Sequence, residues 1–347
     1  MPRALILGGT GPIGRAAARR LLRTGWQVAL TGRDRGHLPV ELAAEGAQFI
    51  AADRSDPAQL SAALGDGADL LVDCLCYTAA DASRLLALAS ACGSTVMISS
   101  KAVYVDSAGN HSNSATPPHF QGPVTEAQAT LAPGAGDPLT RSGYGANKAA
   151  AEQVLLDSGW PVTVLRPSKV HGPGAARPRE WVFVKRVLDK RPVVFLRRRG
   201  SGVDHPTAAA NIAALIEVVA AKPGRRILNS ADPDAPNALE ISRVIARQLH
   251  HSWDEVLLDG GEDPELGGHP WDAQYPVVLD TGAALQLGYQ PAGDYAATVA
   301  DEVEWLVGAA RSPDSVRFLA GLDRDYFRPM FNYGAEDQHL AARASDS

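Results

Sequence analysis

The sequence has little cysteine and no long apolar run. Its three cysteines, Cys74, Cys76 and Cys92, are an odd number without framework spacing, which excludes a disulfide scaffold and predicts reduced thiols. No His/Cys cluster accompanies them, so we expect no metal site, and Cys74 and Cys76 are better explained as alternate residues of a buried strand. No stretch approaches the ~20 apolar residues of a membrane span, and no signal peptide is visible, so we expect a cytoplasmic protein without a membrane partner.

Positive charge is also scarce. Lysine supplies six of the 33 basic residues, and 39 acidic residues leave a net charge of −6. A chain of this charge is not expected to bind nucleic acid. Apolar residues, by contrast, make up 45% of the 347 positions, which is enough for one large α/β unit or two closely joined domains.

The first half alternates short apolar runs with helical segments, which is typical of a Rossmann-type, doubly wound parallel sheet. The predicted strands are 4–7, 27–31, 48–51, 69–75, 95–99 and 162–166, and the predicted helices are 14–24, 40–45, 59–63, 80–92 and 145–157. Between residues 106 and 141 the pattern dissolves into Gly, Pro, Ser, Asn and Thr. So long a loop is either a wall or lid of the substrate pocket or a surface excursion.

The second half predicts a smaller α+β region for substrate binding. Its helices are 181–188, 208–220, 239–250 and 297–310, and its clearest strand is 193–196. We therefore expect an NAD(P)-binding domain with the catalytic residues at 1–172 and a substrate-binding region at 173–333, which could interleave with it. The polar, Ala-rich segment 334–347 is expected to be a frayed tail.

A glycine-rich finger joins the first strand to the first helix, in the order that a dinucleotide site requires. Its glycines permit a tight turn and a close approach of the backbone to a pyrophosphate, whose charge lies at the helix N-terminus. A strand-to-helix turn that binds nothing is the alternative. The residues predicted to bind the cofactor here are Gly8, Thr10, Gly11, Pro12, Ile13 and Gly14.

The second strand ends at Gly32-Arg33, where an NAD-specific site would place an acidic residue. Arg33 could pair with a 2′-phosphate, with help from Arg35, so we predict NADP in preference to NAD. Alternatively, Arg33 is a solvated turn residue and Asp34 faces the ribose.

Asp53 follows the third strand. It could hold the adenine amino group of the cofactor, or it could belong to a helix N-cap arrangement with Ser55 and Asp56. The sequence favours neither interpretation over the other.

Tyr144 and Lys148 are four residues apart in a predicted helix, so both side chains lie on one face, about one turn apart. A phenol with a pKa near ~10 is a poor proton carrier at neutral pH. A neighbouring ammonium favours the phenolate and brings the tyrosine toward a useful range. A surface pair on a helix is the alternative without catalysis.

Four motifs occur in one order along the chain: the finger at 8–14, Ser99-Ser100, Tyr144-x-x-x-Lys148 and the segment 165–173. Together they resemble the extended short-chain dehydrogenase/reductases, a group that includes the NAD-dependent epimerase/dehydratase family. The resemblance covers about residues 3–230 and continues more weakly to about residue 307.

The resemblance implies roles for particular residues. Tyr144 would be the general acid/base, and Lys148 would hold the nicotinamide ribose and lower the pKa of the tyrosine. Ser100 would hydrogen-bond the substrate oxygen, although it could instead merely cap the strand end. The loop that contains Pro167 and Val170 would cover the nicotinamide.

The chain departs from the family pattern near these motifs. Leu75 and Cys76 stand where two small residues are usual after the fourth strand. Lys101-Ala102 replaces the Asp-Glu pair of the sugar-nucleotide 4,6-dehydratases, which argues against that dehydration. Lys101 either contacts an acidic group of the substrate or points to solvent.

Further departures concern the substrate. Lys169 and His171 replace a common Asn and a common Tyr, and the diphosphate-binding arginine is missing from its usual place near 203–211. The run 197–199 could substitute for it, or it could be a solvated strand end. His171 and His205 are candidate substrate contacts, although a lone histidine is more often structural.

We therefore predict an NADP(H)-dependent reductase that acts on a carbonyl or hydroxyl group of a small polar metabolite, with Tyr144 exchanging the proton. An epimerase that works by transient oxidation, on a sugar or sugar nucleotide, uses the same residues and is the first alternative. A non-catalytic relative that senses NADP or binds RNA is the second. The resemblance also makes a helix-paired homodimer an option.

Overall fold

The computed structural model describes residues 1–259, 265–312, 321–322 and 326–345. The strands are β1 (Arg3–Leu7), β2 (Gln27–Gly32), β3 (Gln48–Ala51), β4 (Ala68–Asp73), β5 (Cys92–Ile98), β6 (Val162–Pro167), β7 (Lys169–His171), β8 (Val193–Leu196), β9 (Pro206–Ala208), β10 (Arg226–Ser230) and β11 (Asp254–Leu257). The helices are α1 (Pro12–Arg23), α2 (Val40–Ala44), α3 (Pro57–Leu64), α4 (Ala79–Ala89), α5 (Arg141–Asp157), α6 (Trp181–Leu188), α7 (Ala209–Ala221), α8 (Ala238–Gln248), α9 (Gly282–Gln286), α10 (Tyr295–Thr298), α11 (Ala300–Arg311) and α12 (Tyr333–Ser345).

Seven strands form one parallel sheet in the order β10-β6-β5-β4-β1-β2-β3. The chain runs outward from β1 through β2 to β3, and then returns to build the other half of the sheet from β4. This is the predicted doubly wound, Rossmann-type fold, which is confirmed. Ligands of such sheets bind at the carboxyl ends of the strands, near the point where the strand order reverses, here between β1 and β4.

Both faces of this sheet are buried, because successive strand residues point to opposite sides. Ile6 and Val28 belong to a core shared with α1 and α7, whereas Leu5 and Leu71 belong to a core shared with α3, α4 and α5. The runs of Val, Leu and Ile that predicted the strands are therefore the residues that fill these two cores.

The predicted boundary at residue 172 does not divide the fold into two consecutive parts. β10 pairs with β6 at the edge of the main sheet, and α7 packs against α1. Residues 209–230 thus complete the first unit after the chain has already entered the second. The two regions are interleaved.

The remaining elements form the smaller α+β region. β8 pairs with β11, β7 pairs with β9, and both pairs are parallel. A separate core that includes Trp181, Trp271 and Tyr295 holds α6, α8 and α11 together. Among the helices that the structure describes, none is both long and apolar enough to cross a lipid bilayer.

The segment predicted as a frayed tail contains α12, so this prediction needs correction. Glu336 of α12 is buried and makes a two-oxygen ion pair with the buried guanidinium of Arg186, with Nη–Oε distances of 2.6 and 2.9 Å. Arg191 reaches Asp337 on the next position. Because a buried arginine needs a partner, these pairs attach the helix to the rest of the fold.

The 106–141 loop is held to both regions. Thr130 forms an isolated bridge with Tyr104, and Val124 forms another with Leu279. Asn229, at the end of β10, accepts from the hydroxyl of Tyr104 at 2.6 Å and donates to the carbonyl oxygen of Val124 at 2.8 Å. The loop is therefore packed against the carboxyl edge of the sheet.

Candidate active site

β5 and α5 bring two predicted catalytic hydroxyls together. Ser100 follows β5, Tyr144 lies in the first turn of α5, and the Ser100 hydroxyl lies close enough to the phenol to influence its pKa. The Ser100 hydroxyl also accepts from the backbone N–H of Ala102 at 3.1 Å, which begins a short 3-10 turn at Lys101–Val103. Ser100 therefore caps the turn at the strand end, and its contact with a substrate oxygen stays a prediction.

Burial is the main influence on the Tyr144 phenol. It raises the pKa of Tyr144, while the nearby Ser100 hydroxyl and the charge of Arg179 act to lower it, and the net direction is upward. The resemblance implies that Lys148 lowers this pKa, whereas in the dinucleotide-free protein burial outweighs the groups that lower it. Burial thus favours the protonated phenol, which suits a proton donor.

Lys148 is held by backbone carbonyls. Its Nζ donates to the carbonyl oxygens of Cys76 at 2.7 Å and Ile98 at 2.8 Å, and it lies 4.4 Å from the centre of the Tyr77 ring. The centre of the Tyr144 ring is 5.9 Å away. Burial lowers the pKa of Lys148, although Cys76 and Tyr77 act to raise it. Lys148 thus lies beside the phenol and is positioned by β4–α4 and β5.

The glycine finger has the shape that a pyrophosphate requires. Gly8 has a φ of +75°, and a Cβ at Gly14 would lie 2.5 Å from Gly9 Cα, so the finger and α1 touch through glycine only. A Cβ at Gly11 would meet only the Gly8 carbonyl oxygen, at 3.7 Å. Gly11 is the N-cap of α1 and Pro12, which has no N–H, is its first residue, so the finger leads directly into the N-terminus of the helix, where an anion is favoured.

Leu75 narrows the groove beside the finger. A Cβ at Gly8 would lie 2.5 Å from Leu75 Cγ, so the leucine side chain packs directly on Gly8. The backbone N–H of Leu75 donates to Asp73 Oδ1 at 2.8 Å, which fixes this turn at the end of β4. The finger, the helix N-terminus and Lys148 fit a nicotinamide dinucleotide. Leu75, which lines the groove, is larger than the small residue that the family usually has at this position.

The residues at the end of β2 differ in what they can offer a cofactor. Asp34 accepts from the backbone N–H of Gly36 at 2.8 Å and caps a 3-10 turn at Arg35–His37. Its carboxylate is thus used locally, whereas Arg33 is exposed. Asp53 accepts from the backbone N–H and the hydroxyl of Ser55, at 2.8 and 2.7 Å, and these bonds lower the pKa of Asp53. Asp53 thus takes part in the turn with Ser55 that leads to Asp56, the N-cap of α3, which is the alternative to adenine binding.

An ion pair that the sequence analysis missed fixes α5. Arg166 of β6 contacts both carboxylate oxygens of Glu152, with an Nη2–Oε2 distance of 2.5 Å, and both side chains are buried. Ser99 donates its hydroxyl to the same carboxylate. Glu152 follows Lys148 by four residues, as Lys148 follows Tyr144. This spacing, which places Glu152 on the same face of α5, was the feature of the sequence that could have identified it.

Lys101 does not point to solvent. It is buried and forms an ion pair with Asp204, whose other carboxylate oxygen is 2.8 Å from Lys169 Nζ. The Lys169 ammonium also donates to the carbonyl oxygen of Pro270. Asp204 was not singled out from the sequence, because nothing in its local pattern marks it as a partner of Lys169, which lies 35 positions earlier, or of Lys101, which lies 103 positions earlier.

The two predicted histidine contacts have structural roles. His205 uses both ring nitrogens, since Nε2 bonds to the carbonyl oxygen of Asp232 at 2.8 Å and Nδ1 accepts from the N–H of Leu279 at 3.1 Å. His171 is buried, and its Nε2 lies 2.8 Å from Asp232 Oδ2. Burial acts to lower the pKa of His171, but the Asp232 carboxylate outweighs burial, so the pKa of His171 is raised.

His171 also belongs to a buried cluster with Glu180 and Glu302, whose ligand atoms lie within 4.8 Å of one another. Burial and then the charge of Glu180 raise the pKa of Glu302 well above its usual range. A protonated Glu302 can therefore share its proton with Glu180. The backbone N–H of Gly172 donates to Glu302 Oε2 at 2.5 Å, which ties α11 to β7.

Pro167 and Val170 lie where a nicotinamide-covering segment is expected. Pro167 ends β6, next to the strand that leads to Ser100, and Val170 is the middle residue of β7. The carbonyl oxygen of Val170 accepts from Arg179 Nη1 at 3.3 Å. Arg179, which the sequence analysis overlooked, thereby connects this segment to the surroundings of Tyr144.

The sequence profile of the NAD-dependent epimerase/dehydratase family matches residues 4–202. The match spans more than half of the chain and includes the finger, Ser100, Tyr144 and Lys148. The chain belongs to this family. It is accordingly an NAD(P)-dependent enzyme of the short-chain dehydrogenase/reductase type, as predicted. No relative is found among curated proteins by sequence comparison.

Solved structures agree on the fold. An NAD complex of dTDP-glucose 4,6-dehydratase from Bacillus anthracis is 15% identical, with a TM-score of 0.66, and the alignment covers 89% of this chain and 97% of that one. UDP-glucose-4-epimerase from Stenotrophomonas maltophila, with NAD and formylated UDP-arabinopyranose, is 17% identical, with a TM-score of 0.68 and coverage of 90% and 99%. UDP-glucose 4-epimerase from Thermus thermophilus, with NAD, is 19% identical, with a TM-score of 0.64 and coverage of 88% and 99%.

Proposed function

We propose that this protein is an NADP(H)-dependent oxidoreductase that acts on a carbonyl or hydroxyl group of a small polar metabolite. The observation that carries the proposal is the proximity of the Tyr144 and Ser100 hydroxyls at the carboxyl edge of the sheet, beside the buried Lys148. Two neighbouring hydroxyls can bind one substrate oxygen and pass a proton to it.

Tyr144 acts as the acid in the reductive direction. Its pKa is raised by burial, so the phenol carries its proton at neutral pH and can donate it to the oxygen of a substrate carbonyl. The Ser100 hydroxyl holds that oxygen, and Lys148 holds the nicotinamide ribose. The nicotinamide, when bound, supplies or accepts the hydride.

Arg33 is the reason to favour NADP over NAD. It is exposed at the end of β2, whereas the neighbouring Asp34 is occupied by the turn that it caps. A guanidinium at this position suits a 2′-phosphate, and a carboxylate free to bind ribose hydroxyls would suit NAD. The solved relatives named above contain NAD, so the preference for NADP rests on Arg33 and Asp34 of this chain.

The surroundings of the site favour a redox reaction over dehydration. Lys101 and Ala102 occupy the positions of the Asp-Glu pair of the 4,6-dehydratases, and Lys101 is engaged with Asp204. An epimerase would use the same Tyr144 and Ser100. The two activities differ in outcome, because only the oxidoreductase consumes the dinucleotide.

Cofactor choice is tested by measuring NADPH and NADH binding through nicotinamide fluorescence. We expect tighter binding of NADPH, and Arg33→Ala should weaken NADPH by roughly 10- to 100-fold, as for loss of a charged hydrogen bond of about 1.5–3 kcal/mol. NADH binding should change little. Arg247→Ala, at an exposed position of α8, is the matched control. Equal affinity for the two dinucleotides in the wild type would contradict the NADP assignment.

Reaction type is tested by following NADPH oxidation with a panel of small carbonyl compounds. Tyr144→Phe should lower turnover by roughly 10²- to 10⁴-fold, the usual contribution of a general acid. Tyr326→Phe is the control, because Tyr326 is exposed, and in the described part of the chain its ring meets Phe327 edge-on and lies 5.9 Å from the Arg177 guanidinium. Inversion of a stereocentre without net NADPH oxidation would identify an epimerase instead. Undiminished turnover by Tyr144→Phe would contradict both activities.

A further inference from the structure

Two lysines from separate segments converge on one carboxylate. Lys101, in the 3-10 turn after β5, and Lys169, in β7, both form ion pairs with Asp204. The side chains of Lys101, Lys169 and Asp204 are only 8%, 17% and 16% exposed. These lysines are therefore not solvated surface residues, and their charges act in a partly desolvated space.

The chain places this pair of lysines next to the catalytic groups. Lys101 directly follows Ser100, and Lys169 precedes Val170 in the segment expected to cover the nicotinamide. The turn that begins at Lys101 packs against α5, since a Cβ at Gly145, the residue after Tyr144, would lie 2.5 Å from the carbonyl oxygen of Ala102. Lys101 thus lies beside Ser100, and Lys169 meets Lys101 at Asp204.

Arg179 adds a third cation at the same place. Its guanidinium donates to the carbonyl oxygen of Val170, its charge acts against the rise in the pKa of Tyr144, and it repels both lysines. Glu180 attracts Lys169, and its carboxylate accepts from the Tyr295 hydroxyl at 3.2 Å. In the described part of the chain, Asp204 is the one carboxylate that these lysines contact directly.

This arrangement sets three basic groups beside one directly contacted carboxylate, that of Asp204. Burial, and then repulsion from Arg179, lowers the pKa of Lys101 to about 7 and that of Lys169 well below its usual range. A bound anion would favour the charged form of both lysines, so the site can accommodate a negative charge in addition to Asp204.

We propose that Lys101, Lys169 and Arg179 bind an anionic group of the substrate, a carboxylate or a phosphate, close to the carbon that is oxidised or reduced. The proposal rests on the proposed function, and narrows its small polar metabolite to a small acid. Asp204 holds the two ammonium groups apart and oriented, so that the anion meets a preformed site.

The first test measures anion binding to the NADP⁺-saturated protein by calorimetry, with malonate and inorganic phosphate as probes. Saturation with NADP⁺ keeps either anion out of the pyrophosphate site at α1. Lys101→Met and Lys169→Met should each weaken binding of the preferred probe at least tenfold. Lys185→Met is the control, because this lysine pairs with Asp189 on the surface of α6. The tighter of the two probes distinguishes a carboxylate site from a phosphate site.

Folding of the variants is checked by their melting temperature and NADP⁺ affinity. If either methionine variant fails to fold, Arg179→Gln, at a partly exposed position, provides the same comparison. Absence of binding of both probes to the wild type, or equal binding by the wild type and the folded variants, would overturn the proposal.

The second test separates this inference from the proposed function. For a panel of 2-oxo acids and their methyl esters, the wild type should prefer the acids at least tenfold in kcat/KM, and Lys169→Met should lose that preference. Reduction of the acids and the esters with equal kcat/KM would contradict the anion site but not the oxidoreductase activity. If no dinucleotide binds, the proposed function fails, and the anion titration of the unliganded variants still decides the role of the lysines.

Discussion

Lys148 lies beside Tyr144 without bonding to it. The ammonium is 5.9 Å from the centre of the tyrosine ring, and its hydrogen bonds go to the carbonyl oxygens of Cys76 and Ile98, at 2.7 and 2.8 Å. These carbonyls belong to the segments that follow β4 and end β5. Lys148 therefore joins α5 to two strands, in addition to any contact with a cofactor.

Lys148→Met should destabilise the fold as well as impair cofactor binding. The substitution keeps the apolar length of the side chain but leaves two buried carbonyl oxygens without a donor, at a cost of about 1–3 kcal/mol. Urea unfolding of the dinucleotide-free protein measures this loss. Lys185→Met, on the surface of α6, should unfold like the wild type. An unchanged midpoint for Lys148→Met would show that the carbonyl contacts do not matter to stability.

The Tyr144 phenol should ionise above the usual range in the dinucleotide-free protein. Burial raises the pKa of this phenol above the ordinary tyrosine value of about 10. Tyr144 should therefore contribute no phenolate absorbance at lower pH. A titration at 295 nm, taken as the difference between the wild type and Tyr144→Phe, isolates this residue. Phenolate absorbance near pH 7 in that difference would instead indicate that Lys148 governs the pKa.

The reductive and oxidative reactions should respond oppositely to pH. Reduction needs the protonated phenol, so its rate should stay level through neutral pH and fall only as pH rises past the raised pKa of Tyr144. Oxidation needs the phenolate, so its rate should increase over the same alkaline range. Profiles of kcat in both directions check this, and a reductive rate that fell near pH 7 would contradict it.

Two glycines of the finger should separate folding from binding. In Gly14→Ala the new Cβ would lie 2.5 Å from Gly9 Cα, which forces backbone apart and should cost about 1–3 kcal/mol. In Gly11→Ala the Cβ enters open space, and the φ of −79° suits alanine, so stability should be kept. Dinucleotide affinity should nevertheless fall by roughly tenfold or more, about 1.4 kcal/mol, because the methyl group occupies the space in front of α1. Full affinity in Gly11→Ala would place the pyrophosphate elsewhere.

The attachment of α12 should depend on one carboxylate. Glu336→Ala leaves the buried Arg186 without its partner, which should cost about 3–5 kcal/mol in urea unfolding. Asp337→Ala is the matched control one position later, since Asp337 is 60% exposed and its ion pair should contribute at most about 1 kcal/mol. Equal effects of the two substitutions would mean that α12 is only loosely attached.

The main sheet was predictable because its signals are local. Each strand is a short apolar run bounded by turn residues, and the finger lies between β1 and α1 within a few positions. Tyr144 and Lys148 could be recognised for the same reason, since a four-residue spacing sets their common face.

Contacts between distant parts of the chain left no such signal. Arg186 and Glu336 are 150 positions apart, and the polar composition around Glu336 predicts a loose tail. The partners of Lys148 are backbone carbonyls, which any residue can supply. His205 was indistinguishable in sequence from a ligand-binding histidine until its two ring nitrogens were found to bond to backbone. Tertiary pairing, and not local pattern, decides these roles.

The interleaving of the two regions restricts how such a protein can diversify. The strand that completes the main sheet, β10, and the helix that covers it, α7, are encoded after the smaller region has begun. Recombination that exchanged everything beyond residue 172 would remove an edge strand and the α7 residues of one core. New specificities are therefore expected to arise by exchanging segments on either side of 209–230, or by point substitution of pocket residues, while that segment is inherited with the cofactor half.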